Sequence, residues 1–152
     1  MFCVVDIEDL EYPGDGLYYF NGMPFTGLAV TTDAGRVEAE EHYRDGLLWG
    51  MKKVWHRNGQ LEREAECAFG VFHGLVRTWF ADGKPESESI YEHGVLVLQQ
   101  RWDEAGNASA YRLREGDPNY ELVKAYRRAF GDNAAANARD ETPKSADQQN
   151  SK

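Results

Sequence analysis

The sequence predicts an all-β protein, an antiparallel meander of about four β-hairpin repeats of 24 residues each, followed by a C-terminal α-helix. Glycines, aromatic residues and glutamates recur at 24-residue intervals, and a period of this length marks a repeated supersecondary unit. A turn signal also returns about every 12 residues, which gives antiparallel strands and leaves no room for crossover helices. Together these observations predict hairpins stacked side by side.

Glycines in two series mark where the meander turns. The glycines at the junctions between units are Gly22, Gly46, Gly70 and Gly94. The glycines inside the units are Gly35, Gly59 and Gly83. Asn-Gly at 58–59 and Asp-Gly at 82–83 favour two-residue type I′ turns, because both central residues of such a turn need a positive φ. We therefore assign these seven glycines a structural role in turns.

Closing the central hairpins at these turns fixes which residues face one another. The register predicts four facing pairs: Trp55 with Glu62, Lys53 with Glu64, Trp79 with Glu86, and Arg77 with Glu88. Because side chains alternate across a strand, one face carries these tryptophans, basic residues and glutamates. The opposite face is expected to be buried, and it contains Val54, Leu61, Ala65, Cys67, Phe69, Phe72, Val76, Phe80 and Tyr91. Gly50 and Gly74 are expected to make room for Cys67 and Tyr91 on the facing strands.

The chain divides into a β domain, a helix and a tail. Residues 1–116 form the predicted β domain, with repeats at about 18–107, and the stretch FCVVDIE is a candidate first strand. Residues 117–131 form the predicted helix, with Asp117 as N-cap, Pro118 in the first turn and Gly131 as the stop. Its apolar side chains, expected to pack on the buried face of the last hairpins, are Leu122, Val123, Tyr126 and Phe130. Residues 132–152 hold almost no large apolar side chain, and this composition predicts a disordered tail.

Charge and cysteine content limit the classes of partner and compartment. The formal net charge is −9, which disfavours nucleic acid and anionic membranes as partners and favours a basic protein. No basic segment followed by an apolar run precedes the repeats, so no signal peptide is predicted. Cys3 and Cys67 show no motif spacing, and we expect a reducing, cytoplasmic environment.

The repeated glutamates invite a chemical interpretation, but their predicted geometry does not favour catalysis. Acid–base catalysis or calcium binding needs carboxylates that converge on one centre, whereas residues on successive units lie about 10 Å apart. No zinc motif or phosphate-binding loop occurs, so we expect no catalytic residue, metal or cofactor. Two readings stay open, a solvated face with cross-strand ion pairs and a surface that binds a protein partner. The candidate binding residues are Trp55, Trp79, Glu62, Glu64, Glu86 and Glu88, of which Glu62 and Glu86 have no basic residue opposite in this register.

The order of landmarks within a unit resembles a known repeat type. Two central units match it, through Gly46, Gly50, Trp55, Asn58-Gly59 and Glu64, and through Gly70, Gly74, Trp79, Asp82-Gly83 and Glu88. This pattern is similar to MORN-type repeats and, more closely, to the bacterial YwqK-like antitoxin and immunity proteins. The resemblance covers about Tyr18 to Asn107, and it implies an elongated, mostly single-layer antiparallel sheet. It further implies proteins that neutralise toxins.

Two hypotheses about function follow. The leading one is a non-enzymatic binding module, an antitoxin or immunity protein that blocks a cognate toxin with a basic surface. The alternative is a MORN-type structural scaffold or self-assembly module. A glutamate-based hydrolase is a third hypothesis, disfavoured by the spread of the carboxylates.

Overall fold

The computed structural model describes residues 2–131, so the predicted disordered tail lies outside the described residues. The first part of the chain contains β1 (Val4–Asp6), a 3₁₀ turn (Ile7–Asp9), β2 (Tyr19–Phe20) and β3 (Met23–Pro24). Eight longer strands follow: β4 (Gly27–Asp33), β5 (Arg36–Arg44), β6 (Leu47–Trp55), β7 (Leu61–Ala68), β8 (Val71–Trp79), β9 (Pro85–Glu92), β10 (Val95–Trp102) and β11 (Ala108–Arg112). The helix α1 spans Tyr120–Phe130.

Most strands belong to one sheet of nine, in the order β1-β4-β5-β6-β7-β8-β9-β10-β11. From β4 onwards every strand pairs antiparallel with the next, so the predicted meander with a C-terminal helix is confirmed. The candidate first strand, β1, is present and pairs parallel with β4. Strands β2 and β3 form a separate two-stranded sheet, so the hairpins of the main sheet begin at Gly27.

The turns within the central units differ from the predicted type. Asn58 does not have a positive φ; the N–H of Gly59 donates to the carbonyl of His56, and Gly59 alone takes the left-handed conformation, with φ 86°. This is a type I turn followed by a glycine bulge, and the same hydrogen bond joins Gly83 to Phe80. The two-residue type I′ assignment at 58–59 and 82–83 was therefore wrong.

The extra loop residue shifts the register beside each of these turns. Trp55 pairs with Leu61, and Trp79 pairs with Pro85, so the predicted direct pairs with Glu62 and Glu86 were wrong. A bulge one step further along each hairpin restores the predicted alignment. The pairs Lys53–Glu64 and Arg77–Glu88 are confirmed.

The junctions between units do form type I′ turns, and these stack from unit to unit. Asp45 and Gly46 both have positive φ, at 51° and 81°. The N–H of Gly70 donates to the carbonyl of Leu48 at 3.0 Å, and that of Gly94 donates to the carbonyl of Phe72 at 2.8 Å. Gly46, Gly70 and Gly94 thus each join their turn to the preceding unit, which accounts for the 24-residue recurrence.

The middle glycines also mark bulges in the sheet. Gly50 pairs with Cys67 and Gly74 with Tyr91, as predicted. On its other side, Gly74 has φ 120° and lies under the side chain of Glu66, whose carboxylate accepts a hydrogen bond from the N–H of Leu75 at 2.8 Å. A Cβ atom at Gly74 would collide with this carboxylate.

One face of the sheet holds the core, as the sequence predicted. Ala65, Cys67 and Val76 are buried and are packed by Leu48, Phe72 and Tyr91. A second cluster at the start of the sheet contains Val5, Phe25, Ala29 and Tyr43, and Leu48 touches both clusters. Phe69 was wrongly assigned to this face, because its side chain is 52% exposed and its ring contacts Trp49 instead.

The helix begins later than predicted. Asn119 is its N-cap, whereas Asp117 lies in a preceding turn, where its carboxylate accepts a hydrogen bond from the N–H of Arg114 at 2.7 Å. Gly131 ends the helix, as predicted. No helix among residues 2–131 is long and apolar enough to cross a membrane.

The helix also docks differently from the prediction. Of its four apolar side chains Val123 is buried and Tyr126 half-buried, but Leu122 and Phe130 are 43% and 62% exposed. The main anchor is polar: Arg127 donates through Nε and Nη2 to both carboxylate oxygens of Glu92, at 2.8 and 2.7 Å. Alternation along β9 puts Glu92 on the glutamate face, so the predicted docking on the apolar face was wrong.

Candidate interaction surface

Charged residues form a ladder across the middle of the sheet. The register pairs Glu40 with Lys53, Lys53 with Glu64, Glu64 with Arg77, and Arg77 with Glu88. Arg77 Nε lies 3.3 Å from the Oε1 atom of Glu88, and both side chains are about half exposed. Each such exposed pair stabilises the fold by less than about 1 kcal/mol. The ladder therefore largely neutralises its own charge.

Glutamate and tryptophan alternate in a neighbouring row, one step nearer the turns within the units. Continuing the strand pairing by one residue places Glu38 beside Trp55, Glu62 beside Trp79, and Glu86 beside Trp102. The bulges beside the turns keep Glu62 next to Trp55 and Glu86 next to Trp79. We call this row the Glu/Trp strip, and its half-buried members are Glu38, Trp55, Glu62, Trp79, Glu86 and Trp102.

Each carboxylate of the strip has a basic neighbour, and the three ion pairs differ in strength. The neighbours are Arg36 at 3.2 Å from Glu38, His56 at 3.5 Å from Glu62, and Arg101 at 3.9 Å from Glu86. The expectation that Glu62 and Glu86 lack a basic partner was wrong, because His56 comes from the turn and Arg101 from β10 rather than from the facing strand. His56 is charged only when protonated, so the partner of Glu62 is the weakest of the three.

The strip begins in an open recess of about 560 Å³, lined by Glu38, Trp55, Glu62 and the turn at 56–58. The Nε2 atom of His56 donates to the carbonyl of Trp79 at 2.8 Å, which ties this turn to the next unit. The amide of Asn58 donates to the carbonyl of Ala81 in the same way. The recess thus has walls fixed by hydrogen bonds between units.

Sequence reasoning missed a second exposed feature, an aromatic ridge near the junction turns and the helix. Its rings belong to Trp49, Phe69, His73, His93, Tyr126 and Phe130. The sequence feature that could have revealed the ridge is Phe69, an aromatic residue at the turn position that Asn21 and Asp45 hold in other units. Its φ of 55° is uncommon for a bulky residue.

His93 is the centre of this ridge. Its ring centroid lies 4.5 Å from that of His73 and 4.7 Å from that of Tyr126. Burial among these rings lowers the pKa of His93, and the positive charge that His73 can carry lowers it further, whereas Glu92 opposes the shift. The surroundings of His93 therefore favour the neutral ring.

The arrangement of these side chains suits contact with a large partner better than catalysis or metal binding at a single centre. Carboxylates of the strip lie two strands, or about 9.5 Å, apart, so they do not converge on one centre. Among residues 2–131, no group of three or more histidines, cysteines and acids is placed to hold a metal ion. The role of Trp55, Trp79, Glu62, Glu64, Glu86 and Glu88 in partner binding stays a prediction.

Comparison with known proteins gives one strong similarity. No family model matches the chain, and the resemblance to MORN-type repeats stays a prediction. Among solved structures, a chain in the crystal structure of GtfA/B complex bound to UDP and GlcNAc aligns with a TM-score of 0.35 and 14% identity, covering 78% of this chain and 30% of that one. A similarity this low says nothing about function.

Among curated proteins, the chain is 46% identical over 128 residues to the immunity protein YwqK of Bacillus subtilis (strain 168), covering 83% of this chain and 80% of that protein. The chain therefore belongs to the family of the immunity protein YwqK.

Proposed function

We propose that this protein is an immunity protein that neutralises a toxin by binding it directly, without catalysing a reaction. The relative's name supports the immunity role. The observation that carries direct binding is the Glu/Trp strip, a half-buried row of carboxylates and indoles beside a ladder that neutralises itself. Aromatic side chains dominate the energetics of protein interfaces, and carboxylates whose own ion pairs are exposed and weak favour a basic partner.

The proposed mechanism is steric occlusion of the toxin. The net charge of −9 speeds encounter with a basic surface, because opposite charges steer association. The indoles then supply the apolar area that slows dissociation, since rigid rings lose little conformational entropy on binding. Screening acts over about 8 Å at physiological ionic strength, so rising salt should slow association more than it speeds dissociation.

Co-expression with the product of the neighbouring gene, scored for cell survival and co-purification, tests this proposal. Glu62→Lys/Glu86→Lys should abolish protection and co-purification. Glu8→Lys/Glu104→Lys is the matched control, because it makes the same change in net charge at exposed positions outside the strip. If both double variants, folded by circular dichroism, protect equally well, the strip is not the binding surface.

A second candidate function is a MORN-type scaffold or self-assembly module, and β11 favours it. All five residues of this edge strand are exposed, and among the described strands only β10 pairs with it. An exposed edge can add a further strand. Light scattering would distinguish the two functions: a concentration-dependent oligomer that Ala110→Pro reduces to a monomer supports self-assembly, and a wild-type monomer excludes it.

A further inference from the structure

The chemistry of the Glu/Trp strip restricts what can bind to it. Two of the carboxylates have indole rings on both neighbouring strands, with Glu62 between Trp55 and Trp79, and Glu86 between Trp79 and Trp102, whereas Glu38 has an indole on one side only. A carboxylate accepts hydrogen bonds from a cation, and an indole face attracts the same cation through its quadrupole. Arginine satisfies both, because its planar guanidinium stacks on aromatic rings and pairs with carboxylates bidentately.

The strip also has a fixed repeat. Glu38, Glu62 and Glu86 occupy alternate strands β5, β7 and β9, so neighbouring carboxylates are about 9.5 Å apart. The carboxylates of the ladder have the same spacing, but Lys53 and Arg77 occupy the strand positions between them, whereas Trp55 and Trp79 occupy those positions in the strip. A partner therefore finds carboxylates with indoles, rather than cations, at the facing strand positions along the strip, at a spacing set by the sheet.

We propose that the Glu/Trp strip binds a segment of the toxin whose arginine side chains recur at intervals of about 9–10 Å. The inference rests on the proposed function and adds the chemistry and spacing that the partner must have. Glu62 is the central anchor: its own neighbour is a histidine, it borders the recess of about 560 Å³, and its side chain is 39% exposed.

The basic side chains already present do not block this surface. Arg101 lies 3.9 Å from Glu86, a long contact, and its side chain is 57% exposed. Arg36 divides its guanidinium among Asp33, Glu38 and the carbonyl of Arg57, and its side chain is 40% exposed. Exposed pairs of this kind are weak, so an incoming guanidinium that also stacks on an indole displaces them.

Short peptides test the spacing without the toxin. A capped nonapeptide of three Arg-Pro-Pro repeats adopts polyproline II, which places an arginine on one face about every 9.3 Å. A peptide of the same composition with its three arginines adjacent is the matched comparison. Quenching of tryptophan fluorescence should report binding of the spaced peptide at least about tenfold tighter than the adjacent one, because only the spaced peptide engages several positions at once.

Matched variants locate the binding. Glu62→Gln should weaken the spaced peptide strongly, whereas Glu64→Gln, the same change in the ladder, should leave it unchanged. Equal binding of the two peptides, or equal weakening by the two variants, overturns the proposal. The outcome is separable from the proposed function: a protein that protects cells but does not distinguish the peptides refutes the spacing alone, and one that binds the spaced peptide without protecting refutes only the immunity role.

Discussion

Removing the side chain of Arg127 should cost far more stability than removing a similar arginine elsewhere in the sheet. Arg127 pairs bidentately with Glu92, whose side chain is 4% exposed, while Arg127 itself is 31% exposed. The Arg127→Met variant leaves a buried carboxylate without its cation, and breaking a buried pair in this way costs about 3–5 kcal/mol. Partial exposure of Arg127 admits water, so we expect about 2–3 kcal/mol, below that range.

Arg77→Met is the matched control. Arg77 pairs with Glu88, and the two side chains are 41% and 52% exposed, so its loss should cost less than about 1 kcal/mol. Urea unfolding of both variants, monitored by circular dichroism, gives the two free energies. Proteolysis of the native state reports whether the helix undocks before the sheet unfolds. If it does, the loss in the free energy of unfolding cannot exceed the free energy with which the helix docks.

Neutralising the orphaned carboxylate gives a further check. In the Arg127→Met background, Glu92→Gln should restore part of the lost stability, because it removes an unpaired buried charge. Equal losses for Arg127→Met and Arg77→Met, together with no restoration by Glu92→Gln, would refute the view that the Glu92–Arg127 pair holds the helix to the sheet.

Three further predictions concern the glycines, a histidine and the cysteines. Gly74→Ala should destabilise the fold by more than Gly106→Ala in urea melts. Both substitutions cost about 1 kcal/mol at a positive φ, but only the Cβ at position 74 meets the Glu66 carboxylate. Equal midpoint shifts would contradict the packing described for Glu66. Since the pKa of His93 in the folded protein is below its ordinary 6.5, the unfolded chain takes up the proton more readily, so the stability contributed by neutral His93 is present above pH 6.5 and is lost as pH falls below it. Urea midpoints at pH 7.5 and 5.5 should therefore differ more for the wild type than for His93→Gln. An equal difference in the two proteins would show that His93 does not cause the pH dependence. Burial raises the pKa of the Cys67 thiol to about 11, so a thiol reagent at pH 8 should label Cys3 in the native protein and both cysteines only after unfolding; rapid native labelling of Cys67 would show that its strand opens.

The sequence by itself determined the repeat, the meander and the buried face. Glycines at junctions and a period of 24 residues leave few ways to pair the strands, and alternation then assigns Ala65, Cys67 and Val76 to one side. The pairs of Lys53 with Glu64 and of Arg77 with Glu88 followed from the same register, because they lie far enough from the turns to be unaffected by loop geometry.

Only the tertiary structure decided the features that depend on loop length and on contacts between distant segments. Asn-Gly is compatible with two turn types, and the three-residue loop at Gly59 makes Leu61 rather than Glu62 the direct partner of Trp55, with Glu62 beside it in the bulge. The docking of the helix rests on Arg127 and Glu92, which are 35 residues apart and belong to no repeat. The Glu/Trp strip likewise extends to Trp102 only because the pairing of β9 with β10 places this residue beside Glu86. Local patterns specify strands and turns. Which side chains meet across the surface depends on the strand register, which is set at each hairpin along the whole sheet.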